Sequence, residues 1–600
     1  MKKTIRSSRS YPWIWLVLLV CFTAGILLPV SPLFRPVPSD DPSVYLYTAN
    51  ALLHGGTPYV SAWDHKQPLA YLIYALGLIL TPHSLWGLWL LELIGLTAGG
   101  ILCFRFLQKV APRFLSFLAV IIGFFTLYVI LWGYSLEELA IPFQALTLLA
   151  FFKIQHSLRP SRLFSWGLVI GAATGITFFL KQTLVAAGIT VGLYLVIEMV
   201  VRRSLKNLSA LIGMGAGFFL VAAPLLVYLW QAGALTEYRN AAFGFNLDYA
   251  GLGPLERFNA MLDALEYLGS IPGLFLAFAL WIICVLGAFF QAGPLLSRWI
   301  QSKWLRPAFF ITGALLVLAS LGAEWIGSDP GFGLAQWLSL LAGCVLLLIA
   351  ALVSVPRLHQ SISNRLAQAQ ILESTETNPQ FADQRTALWL CVIFFPVLLG
   401  LITLSGRNYV YYFIPLIPFL ILACGLLGGI LSSAGNSTRM QQLAAVGILG
   451  LGIALAYNPS LLIIAGYQAP THPPAPEIAV YIQDHTTPED TILVWGKETT
   501  YVYFTSQRMA PTRYFYQAPV SLEAYNAEHQ VSSEILESLQ AHPPRLFMEL
   551  NGSGELPPNG QCGLPASDES NSPGAIFRFI CEHYQAPILV DGYRVYALNK

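Results

Sequence analysis

The chain has 600 residues, of which 56% are hydrophobic and only 11% charged, against roughly a quarter charged in an ordinary soluble domain. Its 33 basic and 32 acidic residues leave a net charge of +1, which excludes any global attraction to nucleic acid or anionic surfaces. Many apolar windows reach the roughly 20 residues that cross a hydrocarbon core about 30 Å thick, so the composition is that of a chain embedded in lipid.

In chain order, Tyr11 to Val30 follows the basic start Lys2, Lys3, Arg6 and Arg9. It is too long for a signal-peptide core, and no small-x-small cleavage site follows it, so it reads as a retained first span with its N-terminus in the cytoplasm. A long loop, 31–84, comes next and contains Pro68 to Leu80, apolar but too short to span. That segment is expected to be an interfacial or re-entrant helix. Further spans are predicted near 85–104, 114–133, 139–153, 164–180, 183–200, 208–231, 272–291, 306–325, 333–355, 386–405, 409–431 and 441–465, giving about 13 with the first.

Alternate connections carry the basic residues: Arg105, Lys109 and Arg113; Lys153, Arg159 and Arg162; Arg202, Arg203 and Lys206; Arg298, Lys303 and Arg306. Arg357, Arg365, Arg385 and Arg439 continue the series within a polar connection at 356–385 and beyond it. These lie on the side of the N-terminus, as the positive-inside rule requires of a cytoplasmic face. The loop 31–84, the acidic turn at Glu137 and Glu138, the polar loop 233–270 and the tail from 466 then face outward. Six cysteines (Cys21, Cys103, Cys284, Cys344, Cys391, Cys424) sit in apolar stretches as small hydrophobes. Cys562 and Cys581, in the polar tail, could pair if that tail lies in an oxidising compartment, and the sequence leaves the pairing open.

The sequence QAPTHPPAP at 468–476 reads as a proline-rich linker. It divides a membrane domain, 1–467, from a soluble tail, 477–600. In the tail, Glu477 to Asp484 reads as a helix, Thr491 to Trp495 and Arg545 to Leu550 as strands, and Ile588 to Leu598 as a hairpin turning at Asp591-Gly592. The predicted fold is mainly α, a polytopic transmembrane bundle of about 13 spans with a small extracytoplasmic α/β domain.

Chemistry concentrates in the first loop, SDDPSVYLYTANALLHGGTPYVSAWDHKQPL at Ser39 to Leu69. Asp41 suits an N-cap with Pro42 at the first helical position, and that helix should end at Gly55-Gly56. Sugar transfer from a lipid phosphate needs a carboxylate to take the acceptor's proton and cations to hold the departing phosphate. An aspartate and Lys66 on one interfacial loop meet that need, although Asp41 equally suits a plain cap and Lys66 a snorkelling anchor. Lys181, at the outer end of a span, suits an anchor and a donor contact alike. Glu92, inside a span, reads as a helix-packing partner. Arg239, Asn246, Asp248 and Tyr249 receive no role, and Trp63, Trp132 and Trp230 read as an interfacial aromatic belt.

The order Asp41-Pro-Ser-Val-Tyr45-Leu-Tyr47, Leu-Leu-x-Gly, Thr-Pro58-Tyr59 and Trp-Asp64-His65-Lys66-x-Pro68 resembles the first external loop of the protein mannosyltransferases and bacterial aminoarabinose transferases, which are GT-C membrane glycosyltransferases. The resemblance continues at Ser135 to Gln144, at Lys181-Gln182, and at Ser405-Gly406-Arg407 through Tyr412 with Pro415 and Pro418; in the tail it is weaker, around Trp495-Gly496 and Arg513-Tyr514. Gln67 stands where the family more often has proline and Tyr411 where histidine is common, and Pro42 is unusual beside the aspartate.

The resemblance implies a GT-C fold and an inverting transfer from a polyprenyl-phosphate sugar, with no covalent intermediate. It implies Asp41 as catalytic base and Glu137 lining the same cavity. Lys66 and Arg407 would hold the donor phosphate, and Asp64 and His65 would join the substrate-binding set. No metal motif is present, while a divalent cation near Asp41 and Glu137 is compatible with the charges. The expected setting is a multi-pass protein of the plasma (inner) membrane, with membrane lipid as partner and no nucleic acid. A glycan, lipid or protein acceptor, and the sugar itself, stay open. The other reading is a transporter or flippase for lipid-linked sugars or other solutes. Such a protein should show internal repeats or paired charges near mid-membrane, and neither is visible here.

Overall fold

A computed structural model describes residues 12–251, 264, 268, 271–291, 379–406, 409–433, 476–496, 499–550 and 571–599. Its helices are α1 Pro12–Leu27, α2 Asp40–Leu53, α3 Pro68–Leu80, α4 Trp86–Leu107, α5 Arg113–Ile130, α6 Leu136–Gln155, α7 Pro160–Leu180, α8 Ala186–Arg202 and α9 Leu208–Gln231, with Pro272–Gln291, Pro379–Ile402 and Ile417–Ser433 following. Among the described residues, 8 helical segments are long and apolar enough to cross a membrane. The chain is a polytopic, mainly helical membrane protein. The segments expected at 139–153 and 272–291 also form helices, α6 and Pro272–Gln291. The spans expected at 306–325, 333–355 and 441–465 lie outside the described residues, as does most of the connection 356–385.

Two elements show why this bundle packs. Gly167 and Gly171 on α7 face the α9 backbone at Ala210 and Met214, Gly213 and Gly217 on α9 face the α7 backbone at Phe164 and Leu168, and a β-carbon at any of the four would collide with the carbonyl it faces. Small residues four apart on both helices let the backbones approach, the usual solution where lipid removes the hydrophobic drive for helix association. At the start of α6, the Ser135 hydroxyl accepts from the Glu138 N–H while the Glu138 carboxylate accepts from the Ser135 N–H. This reciprocal cap is extended by the N–H groups of Trp132 and Gly133, which also donate to Glu138. The tight turn carrying Glu137 is therefore pinned from both sides.

The tail forms a four-stranded sheet in the order β1-β2-β4-β3, with β1 Ile492–Trp495, β2 Leu546–Leu550, β3 Ile588–Val590 and β4 Tyr593–Ala597. β1 and β2 run parallel, joined through the helices Tyr501–Ser506, Glu523–His529 and Val531–Ala541; the other pairings are antiparallel. The hairpin turns at Asp591 (φ 50°) and Gly592 (φ 78°), as two-residue loops with positive φ at both positions do. Cys581 is disulfide-bonded; its expected partner, Cys562, lies outside the described residues.

Tail and first loop share one hydrophobic core. Tyr45, Tyr59, Trp63, Tyr71 and Tyr74 of the loop pack in the same cluster as Trp495, Tyr503, Phe515, Tyr516 and Phe547 of the tail. The Tyr47 ring stacks on Phe515 with centroids 3.8 Å apart, the Ala510 N–H donates to the Tyr47 hydroxyl, and Ser43 bonds to Thr500. A second cluster, of helices α1 and α4 to α8 with Pro379–Ile402 and Ile417–Ser433, forms the membrane core.

Candidate functional site

The first loop begins one residue earlier than a cap at Asp41 requires. Ser39 is extended (φ −73°, ψ 176°) and stands at the N-cap, so α2 starts at Asp40 and Asp41 lies in its first turn. The expectation that Asp41 caps the helix is therefore corrected. Its carboxylate instead turns to the membrane domain, where the Tyr411 hydroxyl donates to Asp41 Oδ2 at 3.1 Å. Burial works to raise the Asp41 pKa, but the charges of Lys66, Lys181 and His65 outweigh it and hold the carboxyl below its ordinary value. The residue is a half-buried carboxylate that stays ionised at neutral pH.

α2 ends at Leu53, and Gly55 (φ +87°) turns the chain. Pro68 then opens α3 at the first helical position, after an extended Gln67. Between them, the segment Trp63 to Gln67 is fixed by groups from four directions. The Trp63 N–H donates to the Arg513 carbonyl of the tail (2.9 Å), the Asn246 amide donates to the His65 carbonyl (2.9 Å), and the Tyr59 hydroxyl donates to the Lys66 carbonyl (2.9 Å). The Tyr238 hydroxyl donates to Gln67 Oε1 at 2.7 Å.

Three ionisable side chains follow one another on this segment. Asp64, 1% exposed, accepts from the hydroxyls of Tyr71 (2.9 Å) and Tyr516 (2.7 Å), and His65 Nδ1 lies 3.2 Å from its Oδ1. Against its burial, the hydrogen bond and charge of His65, the charge of Lys66 and the Tyr516 hydroxyl lower its pKa to about 2. His65 is held below its ordinary value by burial and by the neighbouring Lys66 charge, with Asp64 opposing. The Lys66 ammonium is buried and sits 2.6 Å from His65 Nε2.

Glu137, 3% exposed, is paired with Lys181, whose Nζ is 2.6 Å from its Oε1 and 3.7 Å from the Tyr412 ring centroid. Tyr412 in turn feels the charges of Lys66, Asp41 and Glu137, and Asp41 those of Lys66 and Lys181. Asp41, Asp64, His65, Lys66 and Glu137 thus converge with Lys181, Tyr411 and Tyr412. Arg407 lies outside the described residues.

Sequence reasoning had weighed Lys181 without assigning it and had passed over Asn246, Tyr238 and Tyr516. Trp63 is a correction: it is no belt residue but is 1% exposed, its ring edge-to-face with Phe245 and tilted against Tyr514, Tyr516 and Tyr525. Glu92 does act as a packing partner, accepting from the Tyr134 N–H that precedes the α6 cap. Among the described residues, no group of three His, Cys, Asp or Glu is arranged to hold a metal ion.

Two cavities lie away from this cluster. One, of about 320 Å³, opens between α2, α3 and the tail, lined by Tyr47, Asn50, Ile79, His83, Tyr503 and Met509 among others. The other, of about 510 Å³, lies at the basic connection before α5, with Lys109, Arg113, His156 and Asp383. Neither is lined by Asp41 or Lys66.

In comparisons with known proteins, residues 1–291 match the family described as the putative competence-induced protein Ccs4 N-terminal domain. No curated protein matches the chain. Among solved structures the chain is similar to ArnT from Cupriavidus metallidurans in the apo state, with 14% identity, 98% of each chain covered and a TM-score of 0.41. It is similar also to the same protein bound to undecaprenyl phosphate, with 14% identity, 98% of each chain covered and a TM-score of 0.43.

Proposed function

We propose that this protein transfers a sugar from a polyprenyl-phosphate donor to an acceptor at the outer membrane face, by a single displacement that inverts the anomeric centre. The observation that carries the reading is the half-buried carboxylate of Asp41, bonded by Tyr411 at 3.1 Å and held ionised by the nearby charges of Lys66 and Lys181, where the first loop joins the bundle. Asp41 takes the proton of the acceptor's hydroxyl, and that oxygen attacks the anomeric carbon. The bond from that carbon to the phosphate oxygen breaks, and its electron pair leaves with the phosphate. Negative charge grows on the departing group, and the Lys66 ammonium stabilises it most where it is greatest.

Glu137 holds Lys181 and thereby keeps a second positive charge near Asp41. Asp64 and His65 belong to the same donor-binding set, and Arg407 is assigned to it from the sequence motif. In this reading the tail is extracytoplasmic and the protein resides in the inner membrane, with a glycan, lipid or protein as acceptor.

The test is a transfer assay with protein in lipid vesicles, a panel of labelled undecaprenyl-phosphate hexoses and pentoses, and cell-envelope membranes as the acceptor source. Loss of label from the donor fraction into an acceptor fraction, abolished by Lys66→Ala, is the expected result. Movement of intact donor between leaflets with no loss of label would establish a flippase instead.

A further inference from the structure

We propose that the tail completes the donor-phosphate site: Tyr516 is a positioning residue that fixes the Lys66 ammonium through Asp64 and His65. This rests on the reading that Lys66 binds the donor phosphate, and it assigns the tail a part in binding that its distance along the chain conceals.

The hydrogen-bond roles along the chain of contacts are forced. An ionised carboxylate only accepts and an ammonium only donates. Asp64 Oδ1 receives the Tyr516 hydroxyl at 2.7 Å and faces His65 Nδ1 at 3.2 Å, and because the Lys66 ammonium beside Nε2 can only donate, the neutral ring carries its hydrogen on Nδ1. That leaves His65 Nε2 as the acceptor, and Lys66 Nζ stands 2.6 Å from it. The ring is locked as one tautomer, and the lysine is held at its far end. A free lysine side chain loses rotamer freedom when it is fixed on a ligand; here much of that cost is met before the phosphate arrives.

Protonation of His65 would break the device, because a second N–H would then point at the ammonium. The groups around the ring are Asp64 and Lys66 on its own segment, Asp41 from α2, Tyr516 from the tail, and the rings of Trp63, Phe245 and Tyr249. Burial and Lys66 hold the imidazole below its ordinary pKa, which keeps it neutral at neutral pH. Tyr516 itself is delivered rigidly. Its neighbour Phe515 is stacked on Tyr47, and the Arg513 guanidinium is tied to Glu237 (2.9 Å) and Glu534 (2.7 Å).

The experiment measures the Kd of undecaprenyl phosphate for the full-length protein in detergent, from mildly acidic to mildly alkaline pH. Tyr516→Phe should weaken binding about tenfold, as loss of a hydrogen bond to a charged group does. It should also move the acid limb to higher pH, because Asp64 Oδ1, relieved of the hydroxyl, stabilises the imidazolium better. Asp64→Asn should weaken binding similarly but move the limb to lower pH, since the imidazolium loses its counter-charge. The phosphate's own titration is common to all variants, and opposite displacements are not what a merely structural role produces. Unmoved limbs in both variants, or equal displacement in one direction, would overturn the inference. Lys66→Ala separates the two levels: if it leaves Kd unchanged, the donor-phosphate reading itself fails, whereas a weakened Lys66→Ala beside an unaffected Tyr516→Phe overturns the role of the tail alone.

Discussion

Replacing Lys181 with methionine keeps most of the side chain's length and removes its charge. The structure makes that costly. Lys181 Nζ lies 2.6 Å from Glu137 Oε1, with side chains only 13% and 4% exposed, and at an effective dielectric of about 20 the attraction given up is about 6 kcal/mol. Part of this was spent in drying the two ions, so the measurable loss is smaller: about 3 kcal/mol, the lower end for a buried pair stripped of one partner. The contact of the ammonium with the Tyr412 ring at 3.7 Å adds about 1 kcal/mol. The assay is a double-mutant cycle by denaturant titration in detergent micelles, using Lys181→Met, Glu137→Gln and the pair. Lys181→Met should lose about 3–4 kcal/mol, and the double variant should recover at least about 2 kcal/mol of it because no buried charge is left unpaired. A Lys181→Met loss below about 1 kcal/mol, or a double variant no better than the single one, would show that the pair is solvated and Glu137 does not depend on Lys181.

Other perturbations test the elements that place the site. Gly171→Leu should drive α7 and α9 apart, since a β-carbon there meets the Met214 carbonyl; the expected loss is about 2–3 kcal/mol, read by thermal denaturation in detergent, with Gly215→Leu, which has open space, as the tolerant control. Ser135→Ala removes the α6 cap and should cost about 1 kcal/mol in the same measurement. Asp64, with its native pKa of about 2 against roughly 3.9 unfolded, should contribute on the order of 2 kcal/mol above about pH 5. Because the folded value is the lower one, that contribution is lost as pH falls from the unfolded pKa through the folded one. An acid titration of Asp64→Asn should therefore be flatter over that window than the wild type.

The membrane elements were legible because each span is a local apolar run, and the hairpin because Asp591-Gly592 is a two-residue turn signal. The candidate site was legible only in part. Asp41 and Lys66 stood out as charges on an apolar-flanked loop, but the cap was misplaced: serine and aspartate both suit an N-cap, and only the extended backbone at Ser39 decides between them. Tyr516 left no local trace, since its partner Asp64 lies 452 positions away, and Tyr411 stood out only as a departure from a motif, with nothing to tie it to Asp41, 370 positions away. Trp63 looked like a membrane-belt residue because composition cannot show that a tail domain will bury it.

The most direct test of the account is turnover by Asp41→Asn in vesicles, with donor binding measured beside it. The side-chain volume and the Tyr411 contact survive this change, while the proton acceptor does not. Undecaprenyl phosphate should bind the variant at least as tightly as the wild type, since a negative charge near the phosphate is gone, and sugar transfer should fall by at least about a hundredfold, the scale of a lost general base. Transfer at wild-type rates with donor still bound would mean that another group takes the proton and that the assembly around Asp41 serves some other purpose.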